Sequence, residues 1–271
     1  MIPQIFDTRK RNLFKKRAYD NFQNHDFLHK EIFLNHLDRL SMILQDMPQV
    51  TLIDVPHYFT KMPEAEVFFA HKKTSNIISF QREDEIIPSS LNNQDAIIAL
   101  LTCHSVNDLV GYFIQIKKAL KPDGIFIGSF IGPNALFLVK NAFANAELEA
   151  RNACEKRFFP TIDIRDLGGL LQRANFALPV ADTESFRVHY KNLSSLVNDI
   201  RGTGERNYLS DRPQTLTKSI YINALKNLQE QLADHILDID IITVTGRSPS
   251  EAQQKPLKPG SAQISMTEIL K

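Results

Sequence analysis

Asp95-Ala96-Ile97-Ile98-Ala99-Leu100-Leu101, then Val106-Asn107-Asp108, and after a helical run Lys121-Pro122-Asp123-Gly124-Ile125-Phe126-Ile127-Gly128-Ser129-Phe130 decide the fold. The first segment is short, nearly all apolar and bounded by polar residues, which reads as a central strand buried on both faces. Leu109, Phe113, Ile116 and Leu120 follow at three- and four-residue steps, one face of a helix over about 108–120. Proline and glycine in Lys121–Gly124 mark a turn. Gly124–Phe130 is the next strand. Strand, helix, turn and strand at this spacing make a βαβ unit, which requires a parallel pair.

Working outward, Val50–Val55 is a β-branched strand, Val67-Phe68-Phe69-Ala70 a second and Asn76–Phe80 a third. Residues 6–46 repeat apolar side chains at helical spacing until Met47-Pro48 stops them. Beyond the unit, 134–149 and 163–174 read as helices and Phe186–Tyr190 as a strand. Helices over 193–201 and 214–234 precede a long strand, Ile236–Thr245. The stretch from Arg247, rich in Pro, Ser, Gln and Lys, reads as an extended tail. The expected division is a helical cap over 1–48, an α/β domain over 49–246 with a helical insertion at about 192–234, and a tail over 247–271.

A net charge of +1, with 43% hydrophobic and 23% charged residues, describes a folded chain with no global field for nucleic acid. Arg9, Lys10, Arg11, Lys15, Lys16 and Arg17 form a basic opening, read as a solvated first helix rather than a nucleic-acid arm. Two cysteines, Cys103 and Cys154, without metal-type spacing point to a reducing compartment, so a cytoplasmic location is expected. There is no apolar run of transmembrane length and no signal-like apolar core. No P-loop, G-x-S-x-G, HExxH or Cys/His cluster occurs, so no metal site is expected.

Several stretches resemble class I S-adenosylmethionine (SAM) methyltransferases. Asn107-Asp108 before a helix and Ala119-Leu120-Lys121-Pro122-Asp123-Gly124 are common across that superfamily. Arg165–Val180, Asp199-Ile200-Arg201-Gly202-Thr203-Gly204-Glu205-Arg206-Asn207 and Ser248–Ala262 are more specific. They resemble the branch shared by the biotin-synthesis carrier-protein methyltransferase and the methyltransferase-like assembly factors of respiratory complex I. The resemblance implies a Rossmann-like α/β fold, a mostly parallel twisted sheet with helices on both faces and N-terminal capping helices. It implies SAM as cofactor and no metal. A protein partner is implied too, either a respiratory-complex subunit or a carrier protein; one assembly-factor relative is associated with arginine hydroxylation on an iron–sulfur subunit.

Cofactor residues carried over on the resemblance are Asp54 at the end of the first strand, Asp84 and Glu85 in the acidic stretch before Ile86-Ile87-Pro88, and Thr102 after the Asp95–Leu101 strand. The glycines expected after the first strand are missing, for the first glycine in the chain is Gly111. Val55-Pro56-His57-Tyr58-Phe59 stands in their place, putting bulky side chains where an adenosyl group needs bare backbone. Strand Val67–Ala70 runs into His71-Lys72-Lys73, without the acid that would hold the ribose hydroxyls. His104, at the cleft edge, is either a general base or a structural histidine. Arg165, Arg173, Arg201 and Arg206 read either as anchors for an anionic substrate or partner carboxylate, or as surface salt bridges. Two functions stay open: a methyltransferase with a rebuilt cofactor loop, and a partner-binding assembly protein with SAM binding weak or lost.

Overall fold

The computed structural model describes residues 4–190, 192–211, 213–232 and 236–253. Six strands form one sheet in the order β2-β1-β3-β4-β6-β5: β1 Gln49–Ile53, β2 Asn76–Phe80, β3 Gln94–Ala99, β4 Leu120–Ile131, β5 Ala177–His189 and β6 Ile236–Arg247. β1 pairs in parallel with β2 and with β3, and β3 with β4. β6 is antiparallel to both β4 and β5, so it alone is reversed. The fold is an α/β sheet of mostly parallel strands covered on both faces.

Alternation along the strands explains the two layers. Leu52 and Ile98 face one core with Phe33, Leu37 and Leu40 of α2 (Phe27–Ser41) and Val139 and Ala142 of α5 (Phe137–Arg151). Ile53, Ile97 and Phe126 face the other, against Phe113 and Ile116 of α4 (Leu109–Ala119) and Leu167 and Leu171 of α6 (Ile164–Arg173). Every residue of β3 is buried, as a central parallel strand requires. α1 (Thr8–Ala18) and α2 precede the sheet, while α7 (Leu193–Gly202) and α8 (Lys218–Gln231) lie between β5 and β6.

One element differs in kind from the sequence reading. Val67–Ala70 is not a strand; it lies in helix α3, Pro63–His71. Pro63 opens the helix, Glu64 and Glu66 occupy its first turn, and Ala65, Phe68 and Phe69 are buried while Val67 is 70% exposed. That spacing is helical, and the adjacent Phe68-Phe69 pair imitates a strand core. The second strand of the sheet is therefore Asn76–Phe80.

Two smaller differences concern turns. Lys121–Gly124 is an excursion within β4: Gln94 pairs with Leu120 and Ala96 with Ile125. Asp123 there has φ 66°. β5 begins nine residues before the expected strand, with Pro179 on a sheet edge and a register shift between Ala177 and Val180. The start of the tail is anchored, since Ser248 N donates to Gly124 O (2.8 Å) and Gln253 Nε2 to Asp123 Oδ1 (2.7 Å). The rest of the proposed tail lies outside the described residues.

Two histidines are buried on α2. His36 has no hydrogen-bond partner at either nitrogen, and His29 none at Nδ1. Burial lowers both pKa values to about 3, with Lys15 adding to the effect at His29 and Arg39 at His36. The unfolded chain binds these protons near pH 6.5 and the folded chain does not. Their contribution to stability is complete above pH 6.5 and is lost as pH falls toward 3. Each histidine is expected to cost roughly 1 kcal/mol per pH unit across that window. Urea midpoints should fall steadily from pH 7 to pH 4, and His36→Leu should flatten the slope; equal slopes in the two proteins would contradict this.

Candidate functional site

The connection from β1 leads to β2 on one side of it, and the chain then returns to β3 on the other. Ligands of open α/β sheets bind outside the carboxyl ends of the strands at such a reversal. A cleft of about 650 Å³ opens there. Asp54–Tyr58 line it after β1, Ser79–Gln81 at the end of β2 and Leu100 after β3. Lys15, Phe22 and His29 line it from the N-terminal helices.

The turn after β1 solves its geometry without glycine. Asp54 alone takes positive φ, 56°, a region that Asp tolerates better than a β-branched residue. Val55 and Phe59 turn away into the core, each 0% exposed, and residues His57–Lys61 coil into a short 3₁₀ helix. As the sequence leads one to expect, bulky residues stand at the cleft: Val55, Pro56, His57 and Tyr58 line it, and Phe59 alone of the five does not. Tyr58 is held by its hydroxyl on Asp26 Oδ2 at 2.5 Å.

The carboxylate of Asp54 is already engaged. Oδ2 accepts from Arg11 Nη2 at 2.8 Å and lies 2.9 Å from the Thr102 hydroxyl; Oδ1 accepts from the Arg82 backbone N–H at 2.6 Å. Arg11 also donates to Arg82 O at 2.8 Å. Its side chain is 4% exposed, so a helix expected to be solvated instead drives a cation into the carboxyl end of the sheet. Arg82 itself reaches Ser105 Oγ at 2.5 Å and lies over the Tyr112 ring, 5.8 Å from its centroid.

Correcting the second strand moves the expected ribose site to Phe80-Gln81-Arg82, where again no carboxylate stands. Asp84 is exposed and accepts from Ile86 N. Glu85 accepts from Asn107 N, Asn107 Nδ2 and Asp108 N, holding the entry to α4. Of the four residues proposed for the cofactor, Asp54 lines the cleft and Thr102 touches it through Asp54. Asp84 and Glu85 serve the loop before α4. The Asp54 carboxylate is engaged by a side chain of the same molecule, and no carboxylate stands at the end of the second strand.

The segment Asp199–Asn207, whose Thr203 lines the cleft, grips the N-terminal helices. Asp199 Oδ1 lies 2.6 Å from His25 Nδ1, and Lys15 Nζ donates to Thr203 O at 3.1 Å and to Glu205. Two glycines permit this approach. A Cβ at Gly202 would stand 2.0 Å from the His25 ring, and Gly204, at φ 76°, lies against the Lys15 backbone. Further on, Asp7 N donates to Tyr208 O and Ser210 N to Ile5 O. Glu205 also meets His104 Nε2 (3.3 Å) and Tyr208 OH (3.1 Å). Burial would raise its pKa, but Lys15 and His104 outweigh that and hold it well below the carboxylate range.

His104 thus sits beside Glu205. The four arginines do not converge: Arg165 and Arg173 are exposed on α6, Arg201 is exposed on α7, and Arg206 packs over the Phe14 ring at 5.6 Å. Arg11, Lys15 and Glu205 escaped the sequence reading. The four-residue spacing of Arg11 and Lys15, which places them on one helical face, was the available signal. Among the described residues no three His, Cys, Asp or Glu side chains converge as a metal site, and no helix is long and apolar enough to cross a membrane.

No family model matches the chain. It is 33% identical over 202 residues to "Arginine-hydroxylase NDUFAF5, mitochondrial" of Dictyostelium discoideum, covering 73% of this chain and 46% of that one. It is 27% identical over 165 residues to a malonyl-[acyl-carrier protein] O-methyltransferase of Gallionella capsiferriformans, covering 60% and 55%. The chain spans about half the length of these two relatives. Among solved structures, the YcgJ protein of Bacillus subtilis superposes with a TM-score of 0.47 at 10% identity, covering 80% of this chain and 98% of that one.

Removing Arg11 takes the nearer guanidinium from a nearly buried carboxylate, leaving the Arg82 backbone N–H, the Thr102 hydroxyl and the Arg82 guanidinium at 3.8 Å. Arg11→Ala is expected to destabilise the protein by about 3–5 kcal/mol. Asp54→Asn in the same chain should recover part of that loss. A double-mutant cycle on denaturant unfolding reads the coupling, and strict additivity would show that the pair does not hold the helix to the sheet.

Proposed function

Because the chain belongs to the class I methyltransferase branch of the arginine-hydroxylase NDUFAF5 and the malonyl-[acyl-carrier protein] O-methyltransferase, we propose that it is a partner-binding, assembly-type protein in which SAM binding is weak or absent. The observation that carries the proposal is the state of Asp54. Its two oxygens take one guanidinium, one backbone N–H and one hydroxyl from three different parts of the chain. A cofactor drawing on that carboxylate has to displace Arg11, which makes two charge-assisted hydrogen bonds at 2.8 Å from a nearly water-free position. Loss of the ribose acceptor adds to this. Each missing partner in a buried site weakens binding by about 1–3 kcal/mol, so two together reduce affinity by orders of magnitude.

A protein partner, a carrier protein or a respiratory-complex subunit, follows from the relatives rather than from the cleft. An unpaired, exposed Cys154 and a buried Cys103 support a reducing, cytoplasmic location.

One observation favours a second reading. The cleft remains open at about 650 Å³ because Val55 and Phe59 turn into the core, so an active methyltransferase with a rebuilt cofactor loop has room for its ligand. Calorimetric titration with SAM and with S-adenosylhomocysteine separates the two. We expect no saturable heat up to millimolar ligand. A dissociation constant in the micromolar range would establish the enzyme reading instead.

A further inference from the structure

A second cavity, of about 190 Å³, is lined by the start of α5, by Arg157–Thr161 and by Glu205–Asn207. Ile131, Leu136, Phe158 and Phe159 give it apolar sides. Its volume lies below the roughly 300 Å³ at which pockets for drug-sized ligands begin, so an occupant has to be small.

Of the four Lys, Arg and Glu side chains that line it, two are already paired. Arg157 is joined to the buried Glu147, and Glu205 to Lys15. Lys140 and Arg206 meet no carboxylate among the described residues. The Lys140 ammonium reaches only the Pro133 carbonyl, 3.4 Å away, and the Arg206 guanidinium lies over the Phe14 ring, 5.6 Å from its centroid. Both residues are half-buried. Burial alone lowers the Lys140 pKa, the mark of an ammonium group that has lost water without gaining an anion. The cavity thus combines apolar walls with two uncompensated positive charges.

We infer that this cavity binds a small carboxylic acid, its carboxylate on Lys140 and Arg206 and its apolar body against Leu136, Phe158 and Phe159. Each part of such a ligand answers one part of the lining. A planar carboxylate accepts from an ammonium group and from a guanidinium fork together. A phosphate or sulfate carries charge on every side and would press some of it against the apolar walls, which is costly. An uncharged apolar molecule leaves both cations as they are, and a cation is repelled. The larger cleft has other charged groups, Lys15, Asp20 and Asp54, and the inference holds whether or not SAM enters there.

Titration of the full-length protein with benzoate at pH 7, followed by protein-observed NMR, tests it. Saturation is expected with a dissociation constant of about a millimolar or below, as befits a ligand of this size. Benzamide, which has the same shape without the charge, should bind about tenfold more weakly. Acetate, which keeps the charge and lacks the ring, should also lose about tenfold. Lys140→Gln and Arg206→Gln should each weaken benzoate about fivefold or more and leave benzamide unchanged. Lys140→Arg, which keeps the positive charge, should retain most of the affinity and guards against a loss of fold. No saturation in the tens of millimolar, equal affinity for benzoate and benzamide, or unaltered benzoate binding in both Gln variants would overturn the inference. Acetate matching benzoate would overturn it too, since surface charge alone would then account for the binding. The SAM titration reads the other claim separately.

Discussion

A carboxylate at the buried carboxyl end of a parallel sheet cannot stay there uncompensated, and the cost of leaving it unpaired organises this molecule. Asp54 ends β1 at the point where the chain reverses direction across the sheet. Its side chain is only 11% exposed. In water such a group is solvated; here it needs donors from the protein. Arg11, the Arg82 backbone and Thr102 supply them, and each comes from a different element. The acid therefore acts as a clasp joining α1, the end of β2 and the turn after β3.

Once Arg11 is fixed, the rest of the N-terminal region has little freedom. Lys15, one helical turn further on, falls opposite Glu205 and the Thr203 carbonyl. Gly202 and Gly204 let the Asp199–Asn207 segment come close enough to receive His25 and Lys15. Glu205 then joins the first helix to the turn after β3, facing Lys15 on one side and His104 on the other. A motif that looks from its arginines like a ligand site is, in the structure, held mostly by its glycines and its acid.

The central βαβ unit was legible because Ile97–Ala99 and Ile125–Ile127 are buried on both faces, and few structures other than a parallel sheet accept such runs. Long-range pairing was not legible. Nothing in Val67-Phe68-Phe69-Ala70 announces that Val67 faces solvent, and helix α3 emerges only when the i, i+3, i+4 positions of Ala65, Phe68 and Phe69 are weighed above the adjacent phenylalanines. At the site, the missing glycines correctly directed attention to the turn after β1. Pro56, His57 and Tyr58 do line the cleft, but a sequence does not tell that Val55 and Phe59 pack into the core. Arg11 is hidden for a related reason: within a run of six basic residues, one-dimensional charge does not reveal which side chain turns inward.

The account stands on Arg11 holding Asp54 in preference to an adenosyl ligand. A crystal structure determined with S-adenosylhomocysteine at millimolar concentration tests this most directly. It should show Arg11 Nη2 still within hydrogen-bond distance of Asp54 Oδ2, and no nucleoside against Asp54–Tyr58. Electron density for the ligand seated there, with the guanidinium displaced, would contradict it.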